Sequence, residues 1–385
     1  MRNARPAIAA AVLAITALAA SGSAFAVDKT FNTEKAKIRV TTFVDGLKHP
    51  WGLAELPGGG FLVTEKSGNL RRVTTDGKLS EPLKGMPKVD SRGQGGLLDV
   101  ALDPQFQRNR LVYISYSEPG GGGNSTAVAR GVLSADGDAL SDLRVIFSQK
   151  PKVQSTKHFG SRLVFDRDGY LFIGLGERSE MQFRTQAQKL DSDLGKIIRI
   201  RPDGSIPEDN PFVGQPGAFP EIWSYGHRNI QGAALNPETG MLWTSEHGPR
   251  GGDEINIPEA GRNYGWPVVS YGVNYDGTPV GAGKQTAEGM EDPIYRWTPV
   301  IGSSGMTFYT GSAIPGWKGN LFNGGLVAES IVRLELEGNR VVHEERMLDN
   351  LGQRIRTVIQ GQDGALYLLT DESSGEILRV GPGEG

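Results

Sequence analysis

Apolar positions fall in short runs separated by turn residues, and one phrase recurs. A turn containing Gly, Asp, Asn or Pro leads into four to six β-prone residues, which leave through a small or acidic exit. It reads LPGGGFLVTEKSGNLRRV around Phe61, LDPQFQRNRLVYISYS around Val112 and FDRDGYLFIGLGE around Phe172. It returns as LNPETGMLWTSEHG around Trp243 and GQDGALYLLTDESSGEILRV around Tyr367, with a weaker sixth copy, PGWKGNLFNGGL, around Phe322. Long amphipathic helical patterns are almost absent, so short strands between Gly, Asp and Asn turns predict an all-β chain. Irregular repeats 45 to 80 residues apart, six in number, predict a six-bladed β-propeller. No linker divides the chain, so one domain is expected over residues 27–385. The irregular segments 120–125, 178–188 and 272–289 read as insertions between strands. Loops from every blade meet over the channel of such a fold, so site residues should be scattered in sequence.

Composition narrows the chemistry. MRNARPAIAAAVLAITALAASGSAFA, residues 1–26, has a positive start, a short apolar run and a small-x-small exit at Ala24–Ala26. That is a secretory signal pattern, which predicts a periplasmic or secreted product with no stable membrane insertion after cleavage. Cysteine is absent, which excludes disulfides, thiolate metal sites and cysteine nucleophiles. A formal net charge of −3 without a basic run makes nucleic acid an unsuitable partner. Neither a Walker loop, a Rossmann fingerprint, a Ser–His–Asp order nor a zinc motif occurs. No long apolar strand announces an interface, so a monomer is favoured over a dimer.

The polar stretches each admit a bland and a functional reading. DSRGQGGLLDVALDP sets Gln94 between two glycines, either a simple turn or an amide presented on bare backbone. STKHFGSRLVFD places His158 just before a strand, as a structural histidine or as a general base with a suitable pKa. EIWSYGHRNIQGAALNP joins Arg228 and Asn229, as a structural ion pair or as a fork for a carboxylate or developing oxyanion. SEHGPRGGDEIN, followed by GRNYGWP, clusters acids and glycines where carbonyls and carboxylates suit a hard cation such as calcium, or form only a surface turn. VNYDG carries Tyr275 on a turn. GQRIRTV spaces Arg354 and Arg356 on one face of a strand, where they repel unless an anionic ligand lies between them.

Taken in order, GQGGLLDV, HFGSRLVFD, SYGHRNIQG, EHGPRGGDEINIP, NYGWP and GQRIRTV resemble the soluble quinoprotein glucose dehydrogenases, most of all their periplasmic aldose sugar dehydrogenase branch. The resemblance runs from about His49 to Val380. It implies a six-bladed propeller binding pyrroloquinoline quinone (PQQ) and calcium and oxidising an aldose sugar at C1. It implies that His158 takes the hydroxyl proton and that Arg228 faces the quinone oxygens. Gln94, Asn229 and Tyr275 are implied as cofactor contacts, and Arg354 and Arg356 as partners of the cofactor's carboxylates. Gly248 and Pro249 match the carbonyls that hold calcium, and Glu254 and Tyr264 a second, structural calcium site. Electrons would pass to an external acceptor, a quinone or a cytochrome. One position departs from the pattern: Val327 stands where relatives carry a lysine contacting PQQ. Two other readings compete, a calcium-dependent lactonase and a non-catalytic sugar- or protein-binding propeller. The three arginines argue against the first, and the combination of His158, Gln94, Arg228 and Asn229 against the second.

Overall fold

A computed structural model of the protein describes Met1 and residues 26–383, so the leader expected over residues 1–26 falls almost wholly outside the described residues. Six antiparallel sheets follow one another along the chain, and their innermost strands pack side by side in a closed ring. Those inner strands are Pro50–Glu55, Leu97–Leu102, Gly160–Phe165, Ile230–Leu235, Ser303–Phe308 and Ile355–Gln360, in blades 1 to 6. This is the expected six-bladed β-propeller. Blade 1 has three strands and blades 2 to 5 have four. Blade 6 is completed from the other end of the sequence, where Lys37–Leu47 pairs with Gly375–Pro382 and closes the ring.

The six repeated phrases all fall on the same element. Phe61, Val112, Phe172, Trp243, Phe322 and Tyr367 each lie in the second strand of their blade. A second strand has a strand on either side and a blade against each face, so both of its faces are buried and it reads as an unbroken apolar run. Phe61–Glu65, Leu171–Leu175, Leu242–Glu246, Leu321–Gly325 and Leu366–Thr370 are buried at every residue. Near the axis the blades converge so tightly that a Cβ on Gly305 would stand 2.7 Å from the Thr357 Cα of the next blade. The channel floor is closed by Arg162, which donates to Thr357 Oγ1 at 2.9 Å and pairs with Asp99 at 3.2 Å.

The expected insertions divide. Residues 178–188 hold a short helix, Met181–Arg184, and a 3-10 turn, and residues 272–289 belong to a long loop of blade 4. Residues 120–125 are no insertion. They form the tight end of a hairpin between Leu111–Gly120 and Gly123–Leu133, whose pairing continues to Gly120 opposite Gly123. Adjacent glycines suit both an irregular loop and a tight hairpin end, and only the long cross-strand ladder decides.

Candidate active site

At one end of the channel lies a cavity of about 430 Å³ with walls from all six blades. Trp51 and Lys66 come from blade 1, Gln94 from the approach to blade 2, Phe159 and Gly160 from blade 3. His247–Arg250, Asp253 and Tyr275 come from blade 4, Val327 from blade 5, and Arg354, Arg356 and Asp371 from blade 6. Of the expected residues, Gln94, Gly248, Pro249, Tyr275, Arg354 and Arg356 therefore line one space. His158 and Asn229 adjoin this wall, and Arg228, Glu254 and Tyr264 line a neighbouring cavity of about 20 Å³ that shares His247, Gly248 and Pro249 with it.

His158 is only 5% exposed and sits in the left-handed region at φ 49°. Gln94 Oε1 accepts its main-chain N–H at 2.7 Å, which helps to hold this uncommon geometry. Its Nδ1 lies 2.8 Å from Glu177 Oε1, while Nε2 has no hydrogen-bond partner among the described residues. Burial, then the cations of Arg228, Arg184, Lys157 and Arg178, hold the imidazole well below its ordinary pKa. Burial pushes Glu177 up to about 7 against the pull of Arg228. A neighbouring carboxylate normally raises a histidine, but here desolvation and four cations win, so the ring is neutral and basic at Nε2. Glu177 escaped the sequence reading, although it is the acidic exit of its repeat.

Arg228 is 3% exposed, with Nη1 donating to the carbonyls of His247 at 2.9 Å and Gly248 at 2.7 Å. Its guanidinium lies 5.1 Å from the centre of the Trp266 ring, which keeps the fork in place. Asn229 braces rather than faces the cavity: Oδ1 accepts from Gly160 N–H at 3.1 Å and from Gln231 Nε2 at 3.3 Å. Tyr275 is 70% exposed on its loop.

One expectation is corrected by the geometry. Arg354 and Arg356 do share a face, but a protein carboxylate already lies between them. Asp371 Oδ2 accepts from Arg356 Nη2 at 2.8 Å and from Arg354 Nη2 at 3.2 Å. Burial pushes Asp371 up, yet the two arginines pull it down to about 2. The pair is thus stable without a ligand and retains one net positive charge. The bare backbone at residues 248–252 is also explained first by its own folding. A Cβ on Gly248 would lie 2.2 Å from Gly251 O, so the loop closes on itself before any ligand arrives.

The wall is short of acceptors. Arg228 Nε, His247 Nε2 and Arg356 Nε are buried without a hydrogen-bond partner among the described residues. Buried donors in this state call for an acceptor-rich occupant. The small cavity, which Arg228 also lines, holds two buried carboxylates. Glu246 is satisfied by His227 Nδ1 at 3.0 Å, Arg228 N–H at 2.7 Å and Asn256 Nδ2 at 2.9 Å. Glu254 beside it has only Asn256 Nδ2 at 3.4 Å, and burial, then Glu246, push it up to about 8. Tyr264 stacks on His227 with ring centres 4.8 Å apart, and its hydroxyl donates to Ile257 O at 2.7 Å. No group of three or more His, Cys, Asp or Glu side chains is arranged for a metal among the described residues, so a cation here would rely on main-chain carbonyls too.

A six-bladed propeller with a neutral, carboxylate-held histidine beside the channel cavity fits an oxidoreductase class, which the relatives show. The chain belongs to the Glucose / Sorbosone dehydrogenase family, which matches residues 47–379. It is 48% identical over 350 residues to aldose sugar dehydrogenase YliI of Escherichia coli, covering 90% of this chain and 94% of that protein. The crystal structure of the soluble aldose sugar dehydrogenase from Escherichia coli in the apo-form superposes with a TM-score of 0.87 at 47% identity, over 90% of this chain and 100% of that one. The PQQ-bound form of aldose sugar dehydrogenase from Streptomyces coelicolor gives 0.73 at 30% identity, over 90% and 99%.

Proposed function

We propose that this protein oxidises aldose sugars at C1 to the lactone in the periplasm, with PQQ and calcium, and passes the electrons to an external quinone or cytochrome. The observation that carries this reading is the His158–Glu177 pair beside a cavity whose buried nitrogens lack partners. A flat quinone bearing several carboxylates supplies the acceptors that Arg228, His247 and Arg356 need, and its family relative from Streptomyces coelicolor binds it.

Held by these residues, PQQ would supply the hydride acceptor, and calcium at the Gly248 and Pro249 carbonyls would supply a Lewis acid. His158 Nε2 takes the C1 hydroxyl proton, so that loss of the hydride and the proton together leaves the lactone carbonyl. Glu177 fixes the tautomer by holding Nδ1. Arg228 presents a preorganised cation where negative charge grows. Arg354 and Arg356 hold the anionic end, Gln94 and Tyr275 the rim, and Asn229 fixes Gly160 against blade 4. Glu254, with Tyr264 closing one side, would hold a second calcium there if main-chain carbonyls complete the set. The test is reconstitution. The mature chain, freed of cofactor, receives PQQ and calcium, and dye reduction is followed with glucose and other aldoses. Activity that needs both additions and collapses in His158→Ala supports the reading, whereas PQQ binding without sugar-dependent reduction refutes the substrate class.

A further inference from the structure

The anion-binding end of the cavity holds one cation beyond the arginine pair. Lys66 directly follows the second strand of blade 1 and lines the cavity with Arg354, Arg356, Asp371 and Val327. Its main chain is pinned, its N–H donating to His49 O at 3.1 Å and that of Gly68, in the same turn, to Glu65 O at 2.9 Å. The ammonium donates to Gly93 O at 2.8 Å. An ammonium has three donors, so two remain for an occupant. Asp371 is committed to the arginines, and Lys66 has no salt bridge among the described residues. Burial lowers its pKa, and Asp371, Arg356 and Arg354 are the charges it senses, which places it in this cluster. Arg354 and Arg356 less Asp371 leave one positive charge, and Lys66 makes two. Val327, by contrast, is 63% exposed and brings none.

We propose that Lys66 is the third cation of the cofactor's acid-binding end, reaching a PQQ carboxylate from blade 1 and supplying the charge that Val327 does not supply from blade 5. The inference rests on the PQQ reading above. It also explains how the chain dispenses with a lysine at position 327: the anion is met from a different blade. By tying Gly93 to the same ammonium, Lys66 couples cofactor arrival to the loop that carries Gln94.

The experiment is a titration of PQQ with calcium into the cofactor-free protein, read by quenching of tryptophan fluorescence, to which Trp51 in the cavity wall contributes. Lys66→Gln is expected to weaken PQQ binding about ten- to a hundredfold, the effect of losing one charge-assisted contact. Lys66→Arg retains most of the affinity, and adding Val327→Lys to Lys66→Gln restores it. Wild-type affinity in Lys66→Gln overturns the proposal. If that variant loses melting temperature as well as affinity, the double variant decides: recovered binding supports the proposal and unrecovered binding overturns it. A wild-type chain that does not bind PQQ at all overturns the cofactor reading instead, and this inference with it.

Discussion

Changing Asp371 to asparagine removes a single negative charge from between two arginines while keeping the side chain's shape. The carboxylate lies 2.8 Å from Arg356 Nη2 and 3.2 Å from Arg354 Nη2, with 11% of its side chain exposed. Its pKa is drawn from 3.8 down to about 2, although burial alone pushes it up. A displacement of that size corresponds to about 2 kcal/mol of stabilisation. Because the folded pKa is depressed, this contribution is complete above the unfolded value and is lost as the pH falls through the folded one. Roughly half remains at pH 3. With an unfolding entropy of roughly 2.1 cal/mol/K per residue over about 360 residues, 2 kcal/mol becomes about 3 °C in Tm. Scanning calorimetry of the cofactor-free protein should therefore show Asp371→Asn melting about 3 °C below wild type at pH 7, with the gap narrowing towards pH 3. The variant should also bind PQQ more tightly, since the wall gains net positive charge. A gap that is absent at pH 7, or that keeps its size at low pH, refutes the assignment of Asp371 as the arginines' counter-ion.

His158→Ala should lower kcat by about 10²- to 10⁴-fold, the range for losing a general base, while PQQ affinity measured by fluorescence stays at the wild-type value. Glu177→Gln replaces the carboxylate that holds His158 Nδ1, so kcat should fall while PQQ affinity stays at the wild-type value; an unchanged kcat means that Glu177 does not orient the ring. Glu254 is the opposite case from Asp371. Its folded pKa is raised, so stability is full below the unfolded value and falls as the pH rises towards about 8. In chelator the melting temperature should drop between pH 5 and pH 8, calcium should restore it, and Glu254→Gln should abolish both effects. A calcium effect that survives in Glu254→Gln places the ion elsewhere.

The propeller was legible because its second strands are buried on both faces and so announce themselves as apolar runs after a turn. The outer strands, half exposed and mixed in composition, carried little signal. Residues 120–125 misled because glycines serve a hairpin tip as readily as a loop. The site was legible where a residue type carries its own chemistry, as with His158 and Arg228. What escaped were residues defined by their neighbours. Glu177, Glu246 and Asp371 are three acids far apart in sequence, and the charges they serve became visible only once the blades closed around the channel.

Those three acids follow one rule that the repeat itself contains. Each stands at the exit of a second strand, in GLGE, WTSE and LLTD, where the chain emerges beside the channel. Glu177 takes His158 Nδ1, Glu246 takes the Arg228 N–H, and Asp371 takes both arginines of blade 6. Blade 1 repeats the pattern with Glu65, which accepts from Lys48 N–H at 2.9 Å, and Lys66 follows it directly into the cavity. Blade 5 breaks it, leaving its second strand through Gly324, Gly325, Leu326 and Val327 without an acid. A buried cation needs a counter-charge or a ligand to offset its desolvation. Of these acids only Asp371 holds functional cations before any cofactor binds, because Glu177 holds a neutral ring, Glu246 a main-chain N–H and Glu65 pairs with Arg71. Position 327 is 63% exposed, so a lysine introduced there needs no such counter-charge. Lys66, without a salt bridge among the described residues, is the cation of this end left for a ligand to neutralise, and the Lys66→Gln titration tests that role.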